Sequence, residues 1–77
     1  MISRQMMCIL GILAGRSAED WYPPTNIGRT YGKQSSSWAS RKLRRLKELG
    51  YVERNKRGHW RLTAAGALYW NTHKEDT

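Results

Sequence analysis

The fold is decided by the stretch SRKLRRLKELGYVER, which occupies Ser40–Arg54. Leu43 and Leu46, together with the preceding Ala39, recur at the three- and four-residue spacing of one buried helix face. Gly50 closes this pattern, because glycine readily adopts the backbone conformation that ends a helix. The stretch therefore predicts an amphipathic helix that passes, after a tight turn, into a strand.

The upstream end of this helix is marked by serines. Ser35 or Ser36 can accept a hydrogen bond from the free N–H groups of a first helical turn, so the helix is predicted over residues 36–49. At about 100° per residue, Ser37, Arg41 and Arg44 point away from the apolar face. The helix thus has one face for a core and an opposite, basic face for solvent or a partner.

Downstream, Tyr51–Arg54 and His59–Leu62 are two short strand candidates joined by the turn sequence NKRG. Thr63 can cap a last helix over Ala64–Thr72, which is apolar on more than one side. The residues after this helix are polar and are expected to fray. The region is therefore predicted to form a basic hairpin followed by a helix.

The first residues predict another helix, Arg4–Ala14, with Ser3 as its N-cap and Gly15 as a left-handed C-cap. Cys8 and Ile12 add a second apolar edge to this helix, and Cys8 is interpreted as a small hydrophobic residue. A signal peptide is the weaker alternative, because the charged lead is a single arginine and the helix would supply most of the core.

Between the first helix and the basic helix, Asp20–Tyr22 predicts an extended segment that Pro23 and Pro24 end. A weak helix over Asn26–Tyr31 follows, and Thr25 is either its cap or part of its first turn. The chain is thus mainly α with a small β-hairpin, an α+β class. We expect one domain over residues 1–73 and a frayed tail over residues 74–77.

Positive charge is concentrated in one part of the chain. The 77 residues contain 14 Lys and Arg against 6 Asp and Glu, a net charge of +8. Eleven of the basic residues lie between Gly28 and Arg61, opposed there only by Glu48 and Glu53, so this part carries +9. Such clustering favours a polyanionic partner, either nucleic acid or an anionic membrane surface. No membrane partner is expected, because the apolar stripe of the basic helix is narrow and is needed for the core.

The order of elements, and the residues Ser40–Arg54 and Trp60–Gly66 in particular, resemble the winged helix-turn-helix domain of MarR-type prokaryotic and phage regulators. The resemblance covers residues 25–66. It implies a three-helix core, a two- or three-stranded wing and a C-terminal helix, with transcriptional regulation by sequence-specific binding to double-stranded DNA. The chain lacks the extra dimerisation helices of full-length MarR-type proteins, so their effector pocket is not implied.

In that fold the helix over residues 36–49 would enter the major groove, and the wing tip over residues 55–58 would meet the backbone or the minor groove. The expected base contacts lie on the outward face of the helix: Ser36, Ser37, Ser40, Arg41 and Arg44. The expected backbone contacts surround them: Thr25, Arg29, Lys33, Lys42, Arg45, Lys47, Lys56, Arg57 and Arg61.

The alternative partners are RNA or a protein; an example of the latter is a phage factor that acts on a host regulator. The exposure of two tryptophans distinguishes duplex DNA from RNA. RNA binding usually needs exposed rings that stack on bases. Exposed Trp38 and Trp60 would therefore favour RNA, whereas buried rings would favour duplex DNA.

No catalytic constellation is recognised, and we expect no enzyme activity, no metal, no cofactor and no small-molecule effector. The single Cys8 is typical of a reducing compartment, so a cytoplasmic protein is expected. The resemblance to MarR-type regulators implies a prokaryotic, archaeal or phage origin. No apolar run reaches the ~18 residues of a membrane span.

A homodimer is expected from apolar residues that exceed what one small core can cover. The alternative is that they pack the first and last helices against each other within one chain. The residues concerned, besides Cys8, are Ile12, Leu68, Tyr69 and Trp70.

Overall fold

Four helices and one antiparallel hairpin make up the described part of the chain, residues 2–17, 19–32 and 35–76 of a computed structural model. This confirms the α+β class. The elements, in chain order, are α1 (Arg4–Ala14), α2 (Pro24–Gly32), α3 (Ser36–Glu48), β1 (Val52–Arg54), β2 (Trp60–Leu62), α4 (Ala64–His73) and a 3-10 helix (Lys74–Asp76).

Three helices begin at the residues that the capping pattern predicts. The hydroxyl oxygen of Ser3 accepts a hydrogen bond from Met6 N at 3.2 Å, and Ser35 does the same for Trp38 N at 3.1 Å. Thr63 accepts from Gly66 N at 3.0 Å. Each cap satisfies one of the N–H groups that a first helical turn leaves without an intrahelical partner.

At α2 the structure decides between the two roles left open for Thr25 and moves the start of the helix two residues earlier than predicted, and at α1 the C-cap differs from expectation. Helix α2 starts at Pro24, so Thr25 belongs to the first turn and does not cap it; proline suits this position because its missing N–H would be unpaired there anyway. Gly15 ends α1 with φ of −81° and is not left-handed. Its N–H bonds to Gly11 O, and Arg16 N bonds to Leu13 O, which tightens the last turn without a positive φ.

The core lies where α1 crosses α2, α3 and the hairpin. Cys8, on the second apolar edge of the helix, is exposed, whereas Met7 is buried. Both residues flank the apolar stripe of α1, and the neighbouring helices cover the side that carries Met7. The buried hydrophobic residues are Met6, Met7, Ile9, Leu10, Leu13, Ile27, Ala39, Leu43, Leu46, Val52 and Trp60.

The hairpin pairs Val52 with Leu62 and Arg54 with Trp60. Each strand is one residue shorter than predicted. Before β1, Tyr51 N bonds back to Leu46 O of α3. Tyr22 adds a single bridge to Trp60, with N···O distances of 2.8 and 2.7 Å in the two directions. The expected extended segment therefore contributes one paired residue beside the hairpin.

The C-terminal part is more regular than expected. Helix α4 continues to His73, one residue beyond its predicted end. Lys74–Asp76 then forms a 3-10 helix where a frayed tail was expected; Thr77 lies outside the described residues.

Candidate nucleic-acid interface

The outward face of α3 carries the residues expected to contact bases. Ser36, Ser37, Arg41 and Arg44 are exposed, and Ser40 is half-buried. Because Ala39, Leu43 and Leu46 of the same helix are fully buried, the orientation of α3 is fixed by the core. The fold thus holds a polar and basic helix face rigidly toward solvent.

The hairpin turn is organised by Asn55. Its side-chain oxygen accepts hydrogen bonds from Arg57 N at 2.9 Å and His59 N at 3.0 Å. The backbone closes with Asn55 N donating to His59 O at 3.0 Å, and Gly58 turns the chain at φ of +82°. This turn leaves Lys56 and Arg57 exposed at the tip.

A groove separates α3 from the hairpin, with a volume of about 360 Å³. The α3 side is formed by Ser40, Arg44 and Lys47, which follow one another at helical spacing. Three cationic residues and no acidic residue line it among the described residues. The remaining lining residues are Pro24, Arg54, Gly58 and Trp60.

Arg54 belongs to this groove, although the sequence analysis gave it no role. The register places Arg54 opposite Trp60, on the inner face of the hairpin, and its guanidinium lies 5.9 Å from the centre of the Trp60 ring. The alternation of side chains between the two faces of a strand could have predicted this position. Because Val52 is buried, Arg54, two residues later, must lie on the same face.

Arg61, an expected backbone contact, lies on the other face of the hairpin. Its Nε donates to Glu53 Oε1 at 2.6 Å, and its guanidinium stacks 4.1 Å from the centre of the Trp21 ring. Antiparallel pairing puts Glu53 opposite Arg61 and away from Arg54. The structure therefore does not bring Arg61 to the groove.

Other expected backbone contacts are spread around α3. Arg45 is paired with Glu48 at 3.2 Å and lines a small cavity with Tyr51 and Tyr69, away from the hairpin. Lys42 is half-buried, whereas Thr25 and Arg29 are exposed on α2. Lys33 lies outside the described residues.

Trp38 and Trp60, whose exposure distinguishes a DNA partner from an RNA partner, are half-buried and buried, respectively. Trp60 is 4% exposed, within the core. Its Nε1 is buried without a hydrogen-bond partner in the described residues. Trp38 is half-buried and stacks on Tyr31 with ring centres 4.8 Å apart. Neither ring stands free as a platform for an unpaired base.

The residues expected at a dimer interface divide into two groups. Trp70 packs on α1, where its Nε1 lies 2.8 Å from the position that a Cβ atom would take at Gly11. Tyr69 stacks on Tyr51, with ring centres 4.5 Å apart, so both rings have partners within the chain. Ile12 is half-buried, and Leu68 is 69% exposed.

No protein-family model, curated protein or solved structure matches this chain. Among the described residues, no group of three or more His, Cys, Asp or Glu side chains could hold a metal ion. No helix within residues 2–17, 19–32 and 35–76 has both the length and the apolar character needed to cross a membrane. Function is therefore inferred from the geometry and charge of the chain itself.

Proposed function

We propose that this chain is a winged helix-turn-helix domain that binds double-stranded DNA sequence-specifically, as a transcriptional regulator. The observation that carries the proposal is a groove in which Arg44 and Lys47 of α3 face Arg54 of the hairpin, next to a hairpin tip that exposes Lys56 and Arg57. A solvated surface has no need to concentrate nine basic residues against two acidic ones, a charge of +7, on these two neighbouring elements.

Helix α3 supplies the base-reading element. A helix with its side chains is about 10–12 Å across and fits the major groove, which is about 12 Å wide. Ser37 and Arg41 stand on the exposed face of its first half. An arginine at such a position can donate two hydrogen bonds to O6 and N7 of guanine, and a serine can pair with several bases.

The hairpin supplies a second contact. Lys56 and Arg57 project from a turn that Asn55 holds in shape, so their backbone positions are ordered before any partner binds. With α3 in the major groove, this tip reaches the neighbouring minor groove or its phosphates, as the wing of a winged helix does. These contacts favour affinity for any duplex over discrimination among sequences.

Duplex DNA is favoured over RNA by the aromatic residues. Recognition of single-stranded RNA uses exposed rings on which unpaired bases stack. Trp60 is inside the core, and Trp38 already stacks on Tyr31. The exposed groups of the interface are instead cations and hydroxyls, which suit a duplex with its bases paired.

We further propose a homodimer through α4, because Leu68 is a large apolar side chain left 69% exposed. Exposed Cys8 on α1 adds to the surface that one chain does not cover. Trp70 and Tyr69 contribute less than expected, because they pack within the chain. A two-fold dimer would place two α3 helices about 34 Å apart, one turn of DNA.

Competition binding tests the proposal directly. The full chain is incubated with a labelled duplex of random sequence, and unlabelled duplex, single-stranded DNA or RNA hairpin competes at equal phosphate concentration. Duplex DNA is expected to compete best, and the double variant Lys56→Gln with Arg57→Gln should bind all duplexes more weakly. Preferential competition by RNA would replace DNA with RNA as the partner, and no competition by any nucleic acid would refute the proposal.

A further inference from the structure

We infer that the groove between α3 and the hairpin, defined by Ser40, Arg44, Lys47, Arg54 and Trp60, binds one sugar–phosphate strand of the duplex. The inference rests on the proposed function and deepens it. It assigns Arg54 a role in phosphate binding, and it changes the expected role of Arg44 from base reading to phosphate binding.

The charges in the groove are the first support. Arg44 and Lys47 approach from α3, and Arg54 approaches from β1. The two ion pairs recorded among the described residues, Arg45–Glu48 and Arg61–Glu53, involve none of these three cations. Three like charges around one groove repel one another, so an anion between them is favoured.

The donors in the groove are the second support. Guanidinium and ammonium groups have N–H groups only and accept no hydrogen bonds, and phosphate oxygens are strong acceptors. The lining therefore has an excess of donors that a bound phosphate would satisfy.

The geometry of duplex DNA is the third support. One sugar–phosphate strand always separates the major groove from the neighbouring minor groove. With α3 in the major groove and Lys56 and Arg57 at the minor groove, that strand must pass between α3 and the hairpin. The groove of about 360 Å³ lies at this crossing point.

The test uses a duplex site in which single phosphates are replaced, one at a time, by uncharged methylphosphonates. Wild-type chain should lose affinity strongly at one or two adjacent positions. Arg54→Gln should bind the unmodified duplex about five- to tenfold more weakly and lower the salt slope by about 0.9. At the positions where wild type is sensitive, the methylphosphonate should lower the affinity of this variant little further, because the variant already lacks the cation that binds the replaced phosphate.

Arg4→Gln is the matched control, because it removes one exposed charge from α1, outside the groove. It should keep the wild-type methylphosphonate pattern. Lys47→Gln repeats the test from α3 and covers the case in which the Arg54 variant fails to fold. If wild-type chain binds the duplex but both groove variants keep its affinity and pattern, this inference alone falls. If wild-type chain binds no duplex, the proposed function falls with it.

Discussion

The guanidinium of Arg54 lies in tight contact with the position that a side chain would take at Gly58: a Cβ atom there would lie 3.1 Å from Arg54 Nη2. Gly58 also has a φ of +82°, a conformation that residues with a Cβ atom adopt only with strain. One glycine thus lets the hairpin turn and leaves room for the cation that faces α3.

Gly58→Ala should therefore destabilise the fold and weaken DNA binding together. The backbone strain costs about 1–2 kcal/mol, measurable as a lower free energy of unfolding in urea. The Cβ atom displaces the Arg54 guanidinium, so duplex affinity should fall about threefold, or about 0.7 kcal/mol.

Gly50→Ala controls for the strain alone. Gly50 has a φ of +86°, and nothing lies within 4 Å of the position of its Cβ atom. This variant should lose similar stability but keep wild-type duplex affinity. If both variants lose the same affinity, the loss comes from backbone strain, and the contact between Gly58 and Arg54 does not affect DNA binding.

Gly66 in α4 lies directly against the backbone that leads into β1. A Cβ atom at this position would lie 2.0 Å from the carbonyl oxygen of Tyr51 and 2.9 Å from Leu62 Cδ1. The carbonyl oxygen also accepts a hydrogen bond from Thr63 N at 3.1 Å, so it cannot move away freely.

Gly66→Ala should lower the free energy of unfolding by about 3 kcal/mol, despite the higher helix propensity of alanine. Gly15→Ala is the control, with ordinary contacts at 3.6 Å and longer and a φ of −81°. We expect that control to remain within about 0.5 kcal/mol of wild type. A Gly66→Ala variant as stable as wild type would show that α4 does not dock closely on the hairpin.

Arg41 should govern sequence preference, because it is exposed on α3 and does not line the groove. Arg41→Ala should weaken the best site from in vitro selection by about 1–3 kcal/mol and broaden the base preference at one position. Arg44→Ala should weaken selected and random duplexes alike, as loss of a phosphate contact does. If Arg44→Ala instead broadens the base preference and Arg41→Ala weakens all duplexes alike, Arg44 contacts a base and Arg41 contacts a phosphate.

Leu68→Glu should dissociate the proposed homodimer without unfolding the chain, because the side chain is mostly exposed. Sedimentation at micromolar concentration should show association for wild type and a 9.0 kDa monomer for the variant. Trp70→Glu should instead destabilise the fold, because Trp70 packs against Gly11. A wild-type chain that stays monomeric as its concentration rises contradicts the dimer.

The helix starts could be predicted because capping is a local property. Ser3, Ser35 and Thr63 each bond to an N–H three residues later, a contact that neighbours in sequence alone can form. Helix α3 ends within one residue of its predicted end. Here the apolar spacing and Gly50 point to the same boundary.

Burial at the edges of α1 could not be predicted in the same way. Cys8 and Met7 both border an apolar stripe, and only the positions of the other helices decide which of them is covered. Trp70 likewise finds its partner, Gly11, about 60 residues away in sequence. Such contacts depend on how the elements dock.

Part of the candidate site was accessible from the sequence and part was not. The basic face of α3 follows from helical periodicity, and the exposed tip residues Lys56 and Arg57 follow from the turn. Arg54 follows from strand alternation once Val52 is known to be buried. The separation of Arg61 from the groove depends on its contacts with Glu53 and Trp21, which require the folded hairpin.

The salt dependence of duplex binding tests the central claim most directly. If α3 and the hairpin bind duplex DNA as proposed, about five cations per chain neutralise phosphates, namely Arg44, Lys47, Arg54, Lys56 and Arg57. The logarithm of the association constant should then fall against the logarithm of salt concentration with a slope of about −4 to −5 per chain. A slope near zero, or no duplex binding at low salt, would contradict the account.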